Sequence, residues 1–180
     1  MKSVDSSTRR SPTALKTIAL AGLGGGLAEM LWVTIYSSLT HASGVAVARE
    51  VAASLLPTTA DWVLAPLIGV GIHLVLSVAL TAAVAWTLWR YAMPRLGAGT
   101  LMVSATAVLV TVWAVNFFVV LPALNPAFVT LMPYTVTLVS KVLFAIAMAG
   151  VLQYNAADCV EPKESKQPFL GNPLNHTLKR

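Results

Sequence analysis

Apolar residues run along this chain in four long blocks, with polar residues gathered between them and at both ends. The first block extends from about Thr13 to Leu39 and the second from Asp61–Trp62 to Trp89–Arg90. The third runs from about Gly99 to Leu121, and the fourth begins near Thr130 or Pro133 and reaches Tyr154. A helix needs about 20 apolar residues to cross the hydrocarbon core of a bilayer, and each block supplies them. The pattern therefore predicts an all-α integral membrane protein with four transmembrane helices. Pro12 stands where a helix start tolerates proline. Trp62 and Trp89 sit near the two ends of the second block, as interfacial anchors do. That block exceeds the core thickness at 1.5 Å per residue, so it is expected to tilt or protrude. Pro66 falls in its first turns, where a missing N–H does little harm.

The connections differ in kind. His41-Ala42-Ser43-Gly44 ends the first helix, and Pro57-Thr58-Thr59 closes the segment after it. Between them Val45, Val47, Ala48, Val51, Ala52, Leu55 and Leu56 recur near helical period, with Arg49 and Glu50 on the other side. This predicts a short amphipathic helix, too short to span, lying at the outer membrane interface or packed back on the bundle. Arg90, Pro94, Arg95 and Gly97 mark a tight basic turn between the second and third spans, and Leu121-Pro122-Ala123-Leu124-Asn125-Pro126 a proline-broken, uncharged connection between the third and fourth. The domain plan is a polar N-tail over 1–13, a four-helix bundle over 14–155 and a polar C-tail over 156–180. Pro162, Pro168 and Pro173 punctuate that last tail, which lacks the apolar area to fold alone and is expected to be disordered or docked on a partner.

Composition sharpens this picture. Of 180 residues, 57% are hydrophobic and only 11% charged, far below the roughly 25% of a soluble domain. The net charge of +5 is a topology signal. Lys2, Arg9, Arg10, Lys16, Arg90, Arg95, Lys163, Lys166, Lys179 and Arg180 fall in the tails and the second connection, against Arg49 alone in the first and none in the third. Both termini are therefore expected on the cytoplasmic side, in a bacterial inner membrane, and no nucleic-acid partner is expected. The first block is longer than a signal core and contains Glu29, so it is expected to stay as an uncleaved helix rather than end at Thr40-His41-Ala42. Cys159 is the single cysteine and offers neither an internal disulfide nor a metal site.

Within the spans three side chains ionise: Glu29, His73 and Lys141. A charge at mid-bilayer costs about 2.5–3.5 kcal/mol on insertion scales, so each demands a partner. Counted inward from the outer face, all three come to roughly 11–17 Å depth at 1.5 Å per residue. Three helices thus bring three polar groups to one level, with Asn116 nearer the outer end of the third. One reading is an ion or proton relay along a water-filled seam. The other is a structural pin, Glu29 neutralised by Lys141 and His73 bonded to a carbonyl or hydroxyl. His73 has no second histidine at ligand spacing in the spans, so neither metal nor cofactor is expected there.

Glycines carry the remaining signal. Gly22 and Gly26 form a small-xxx-small face for close helix approach, Gly25 precedes Glu29 by one turn, and Gly69, His73 and Ser77 share a face of the second span. Self-packing of the bundle and contact with a second copy or another subunit both use such faces. The run Gly22 to Gly26 is no nucleotide loop, since it lies inside an apolar helix without a following Lys-Ser/Thr. Asn125, before Pro126, is expected to bond its own backbone in a turn. Trp113, Phe117 and Val120 read as packing or lipid contact. No nucleophile–base pair, paired carboxylate or phosphate loop appears, so catalytic residues are not expected. Two functions remain: a non-catalytic accessory or structural subunit of a larger membrane complex, or a small ion, proton or solute channel or transporter subunit using the Glu/His/Lys cluster.

Overall fold

The structure, a computed structural model, describes residues 12–91 and 98–158. Most of both predicted tails, Cys159 and the basic turn around Pro94, Arg95 and Gly97 lie outside those residues. The described residues are almost all helical, without strands. Four segments are long and apolar enough to cross a membrane: Leu15–Leu39, Ala65–Leu88, Met102–Leu124 and Tyr134–Asn155.

Helix α1 covers Pro12–Leu39. Ser43 then caps α2, Gly44–Leu55, its hydroxyl accepting from the Ala46 N–H at 3.2 Å. Pro57–Thr59 forms one 3₁₀ turn before α3, Ala65–Tyr91. The second apolar block thus begins in a turn at Asp61 and becomes helical only four residues later. Helix α4, Ala98–Val115, runs into a π-helical turn at Asn116–Val120 and then into α5, Leu121–Leu124. Pro122 explains the widened turn: its ring would strike the Phe118 carbonyl of a regular helix and it has no N–H to offer. The connection predicted as a break contains a further helix, α6, Pro126–Leu131, capped by Asn125, whose Oδ1 accepts from the Phe128 N–H at 3.3 Å. Helix α7 begins after Pro133 and covers Tyr134–Asp158, three residues beyond the predicted end of the bundle.

Helix α1 packs along both α3 and α7, and α7 in turn packs along α4. Helices α3 and α4, though consecutive, touch only lightly, while α2 lies against α3 and reaches α6. All four spans contribute to one apolar core near the α3–α4 connection: Ala21, Val84, Leu88, Ala105, Leu109, Phe144, Ala145 and Met148. A second, smaller cluster of Trp113, Phe117 and Leu121 joins the end of α4 and the turns after it to Phe128 and Leu138. Trp113 and Phe117, read as a packing stripe, are buried there, while Val120 is exposed. Beyond these clusters the bundle shows a long row of exposed apolar side chains, including Leu20, Leu27, Leu31, Leu67, Val75 and Val103, which in lipid need no further burial.

Candidate functional site

Small residues set the spacing of the bundle before any charge is considered. A Cβ on Gly22 would stand 2.6 Å from the Val78 Cα, and one on Gly26 would stand 2.7 Å from the Ser77 hydroxyl. Both glycines therefore let α3 approach. A Cβ on Gly25 would stand 2.9 Å from the Phe144 ring, so that glycine serves α7 instead. The glycine run thus faces two neighbours at once. Gly69 does the same for α2, where a Cβ would overlap the Ala48 carbonyl. These faces are occupied within the chain itself.

One turn beyond Gly25, Glu29 enters the gap that the glycines open, and only 3% of the residue is exposed. The Lys141 ammonium on α7 lies 2.7 Å from its Oε1 and 2.9 Å from its Oε2. Ser140 Oγ is 3.3 Å from Oε1 and 2.7 Å from the Thr137 carbonyl, so a single hydroxyl proton is shared and the shorter bond holds it more firmly. From α3, His73 Nε2 sits 3.3 Å from the Gly26 carbonyl and 3.6 Å from Glu29 Oε2. Ser77 donates to the His73 carbonyl at 2.8 Å. The three ionisable residues do meet, as their common depth predicts, and each comes from a different helix.

Two indoles brace the surroundings. Trp32 Nε1 donates to the Val136 carbonyl at 3.0 Å, and Trp113 Nε1 donates to Thr137 Oγ1 at 3.1 Å. Helices α1 and α4 are thereby both hydrogen-bonded to the first turns of α7. Asn116 stands at the start of the π turn, and among the described residues no hydrogen bond or ion pair joins it to Glu29, His73 or Lys141. Thr81, one turn beyond Ser77 on α3, is fully buried and its hydroxyl has no partner among the described residues. Among those same residues no three His, Cys, Asp or Glu side chains converge as a metal site.

A second polar cluster has no counterpart in the sequence reading. Asn125 Nδ2 lies 2.8 Å from Glu50 Oε2 and 3.1 Å from Ser54 Oγ, tying α2 to the α5–α6 break. Asn125 does bond its own backbone, but half of its amide reaches another helix. No spacing rule announces Ser140, Glu50 or Trp113 as partners, because each acts across the fold. Chemically, the mid-bundle site is a neutralised carboxylate with a further imidazole and hydroxyls around it. It can pin helices or hold a polar group. Comparison with protein families, with characterised proteins and with solved structures finds no match to the chain.

Proposed function

We propose that this chain is a non-catalytic accessory subunit of a larger membrane complex. In this reading the four spans cross a bacterial inner membrane with both termini cytoplasmic, and α2 lies at the outer interface. The observation that carries the proposal is the free side of α4. This helix packs mainly along α7, and its other side forms an apolar groove of about 420 Å³ lined by Gly99, Met102, Val103, Thr106, Ala107 and Val110. Gly99, Thr106 and Ala107 are small residues along it, and small residues admit a close transmembrane partner. Gly22, Gly25, Gly26 and Gly69 are already covered within the chain, whereas this side of α4 is open to another subunit.

The channel or transporter reading draws on the same Glu29, His73 and Lys141. It has less support, since the carboxylate is neutralised by its own chain. Moreover, the core of Val84, Leu88, Leu109, Phe144 and Met148 closes the bundle on the side of the α3–α4 connection. A continuous water path would have to cross that apolar plug.

Extraction of native membranes in mild detergent followed by mass measurement tests the subunit reading. The expected species is heavier than the 19.0 kDa chain and contains other polypeptides. Ala107→Trp in the groove should release the chain as a folded monomer with unchanged thermal stability. A native monomer that carries proton or ion flux in vesicles would overturn the proposal.

A further inference from the structure

The ion pair does not use all that its members offer. Glu29 keeps only 4% of its side-chain surface accessible, whereas Lys141 keeps 20% and His73 26%. One face of the Lys141 ammonium is turned to the carboxylate. The Phe144 ring also lies near, 5.7 Å from Nζ to its centroid. An ammonium carries three N–H donors, and among the described residues nothing but the Glu29 oxygens accepts from it. His73 Nδ1 is likewise without a partner there. The members of this cluster that keep accessible surface are thus the two nitrogen-bearing side chains and not the carboxylate.

The packing says from where that side is reached. Helices α3 and α4 meet in the core next to their connection and hardly elsewhere. Further out, the buried line of α4 passes from Ala105 and Leu109 to Trp113 and Phe117, turning toward α7. Val112 and Val115, on the side turned away, are 38% and 51% exposed, and Leu76 on α3 is 50% exposed. Gly69 meets α2 one turn outward of His73, so α2 covers the outer end. The apolar plug closes the other end. What remains is the side between α3 and α4, where the two helices touch only lightly, exposed apolar side chains stand on either side, and Lys141 and His73 keep accessible surface.

We infer that the opening between α3 and α4 binds a neutral, lipid-soluble molecule with carbonyl acceptors in its head, of the isoprenoid quinone class, held by Lys141 and His73. The apolar walls require entry from the lipid phase. The donors require an acceptor head. Neutrality follows from the charge count: Glu29 already balances Lys141, and an anionic head would leave an uncompensated negative charge in a low-dielectric site. A carbonyl oxygen takes a hydrogen bond from the spare ammonium N–H without displacing Glu29. Such a site belongs to this chain alone and does not depend on a partner docking on α4.

Decylubiquinone titrated against the full chain in lipid nanodiscs, read by quenching of tryptophan fluorescence, tests the site. A saturable component above simple partitioning is expected. Val112→Phe narrows the opening without touching the polar cluster, and the double variant Glu29→Gln/Lys141→Met removes the ammonium without stranding a charge. Both should weaken binding, the double variant about tenfold or more, the scale of one hydrogen bond to a charged group. Quenching that stays linear in probe, or unchanged binding in either variant, overturns the inference. Competition by palmitate as effective as that by an unlabelled quinone analogue would also overturn it, assigning the head as a carboxylate.

Discussion

At the scale of single residues, the mid-bundle carboxylate survives because Lys141 meets both of its oxygens and α3 adds an imidazole 3.6 Å away. Removing one member of a buried pair typically costs about 3–5 kcal/mol, because the other is left uncompensated. Glu29→Gln and Lys141→Met should each lower the melting temperature in detergent, and the double variant should recover most of the loss. Strictly additive losses would mean that the pair is not coupled. The glycines make a separate prediction. Gly22→Val drives a side chain into the α3 backbone and should cost about 1–3 kcal/mol as overpacking, whereas Gly71→Val meets nothing within 4 Å and should leave stability nearly unchanged. Thermal unfolding of the two variants side by side checks this. Glu29, His73 and Lys141 were legible in the sequence because ionisable groups stand out in apolar blocks and helical rise fixes their depth. Ser140 was not, since a serine beside a lysine carries no mark of which helix it will face. Asn116 marks the limit of that signal: its polarity is as visible as theirs, yet it stands nearer the end of its span and does not join the cluster.

At the scale of elements, the chain places its irregularities directly after α4. The π turn, the break at Asn125 and helix α6 succeed one another within residues 116–131, and Pro122, Pro126 and Pro133 set their limits. The sequence showed that the helix must break there. It did not show that Pro126 would start a new turn, because proline at a first helical position and proline in a loop look alike without the cap that distinguishes them. The fragment is held by the amide of Asn125, which reaches Glu50 and Ser54 on α2. Asn125→Ala should therefore free α2 as well as fray α6. Hydrogen exchange over residues 44–55 should speed up in that variant, with exchange in α1 unchanged. Equal protection in both proteins would show that α2 is held by its contact with Gly69 alone.

At the scale of the molecule, the neighbour pattern and the charge pattern make different kinds of statement. Four spans follow from block length, and the packing of α1 between α3 and α7 follows from glycine spacing only once the partners are seen. The expected orientation rests on ten cations gathered in or beside the tails and the second connection. Reporter fusions after Thr59 and after Tyr154 should give opposite signals, and matching signals would refute the four-span arrangement.

The partners of Glu29 also set a timetable. Lys141 lies 112 residues after it in the chain. At synthesis rates of about 5–20 residues per second, α1 is made roughly 6–22 s before the ammonium that neutralises it. Helix α4 likewise waits for α7, its main neighbour and the last of the described helices. During that interval the nascent chain has a lone carboxylate in its first span and a third span without its support. The insertion machinery must hold both until the final helix emerges. Chains cut short before Tyr134 should therefore stay bound to that machinery, while chains extended through Asn155 should leave it.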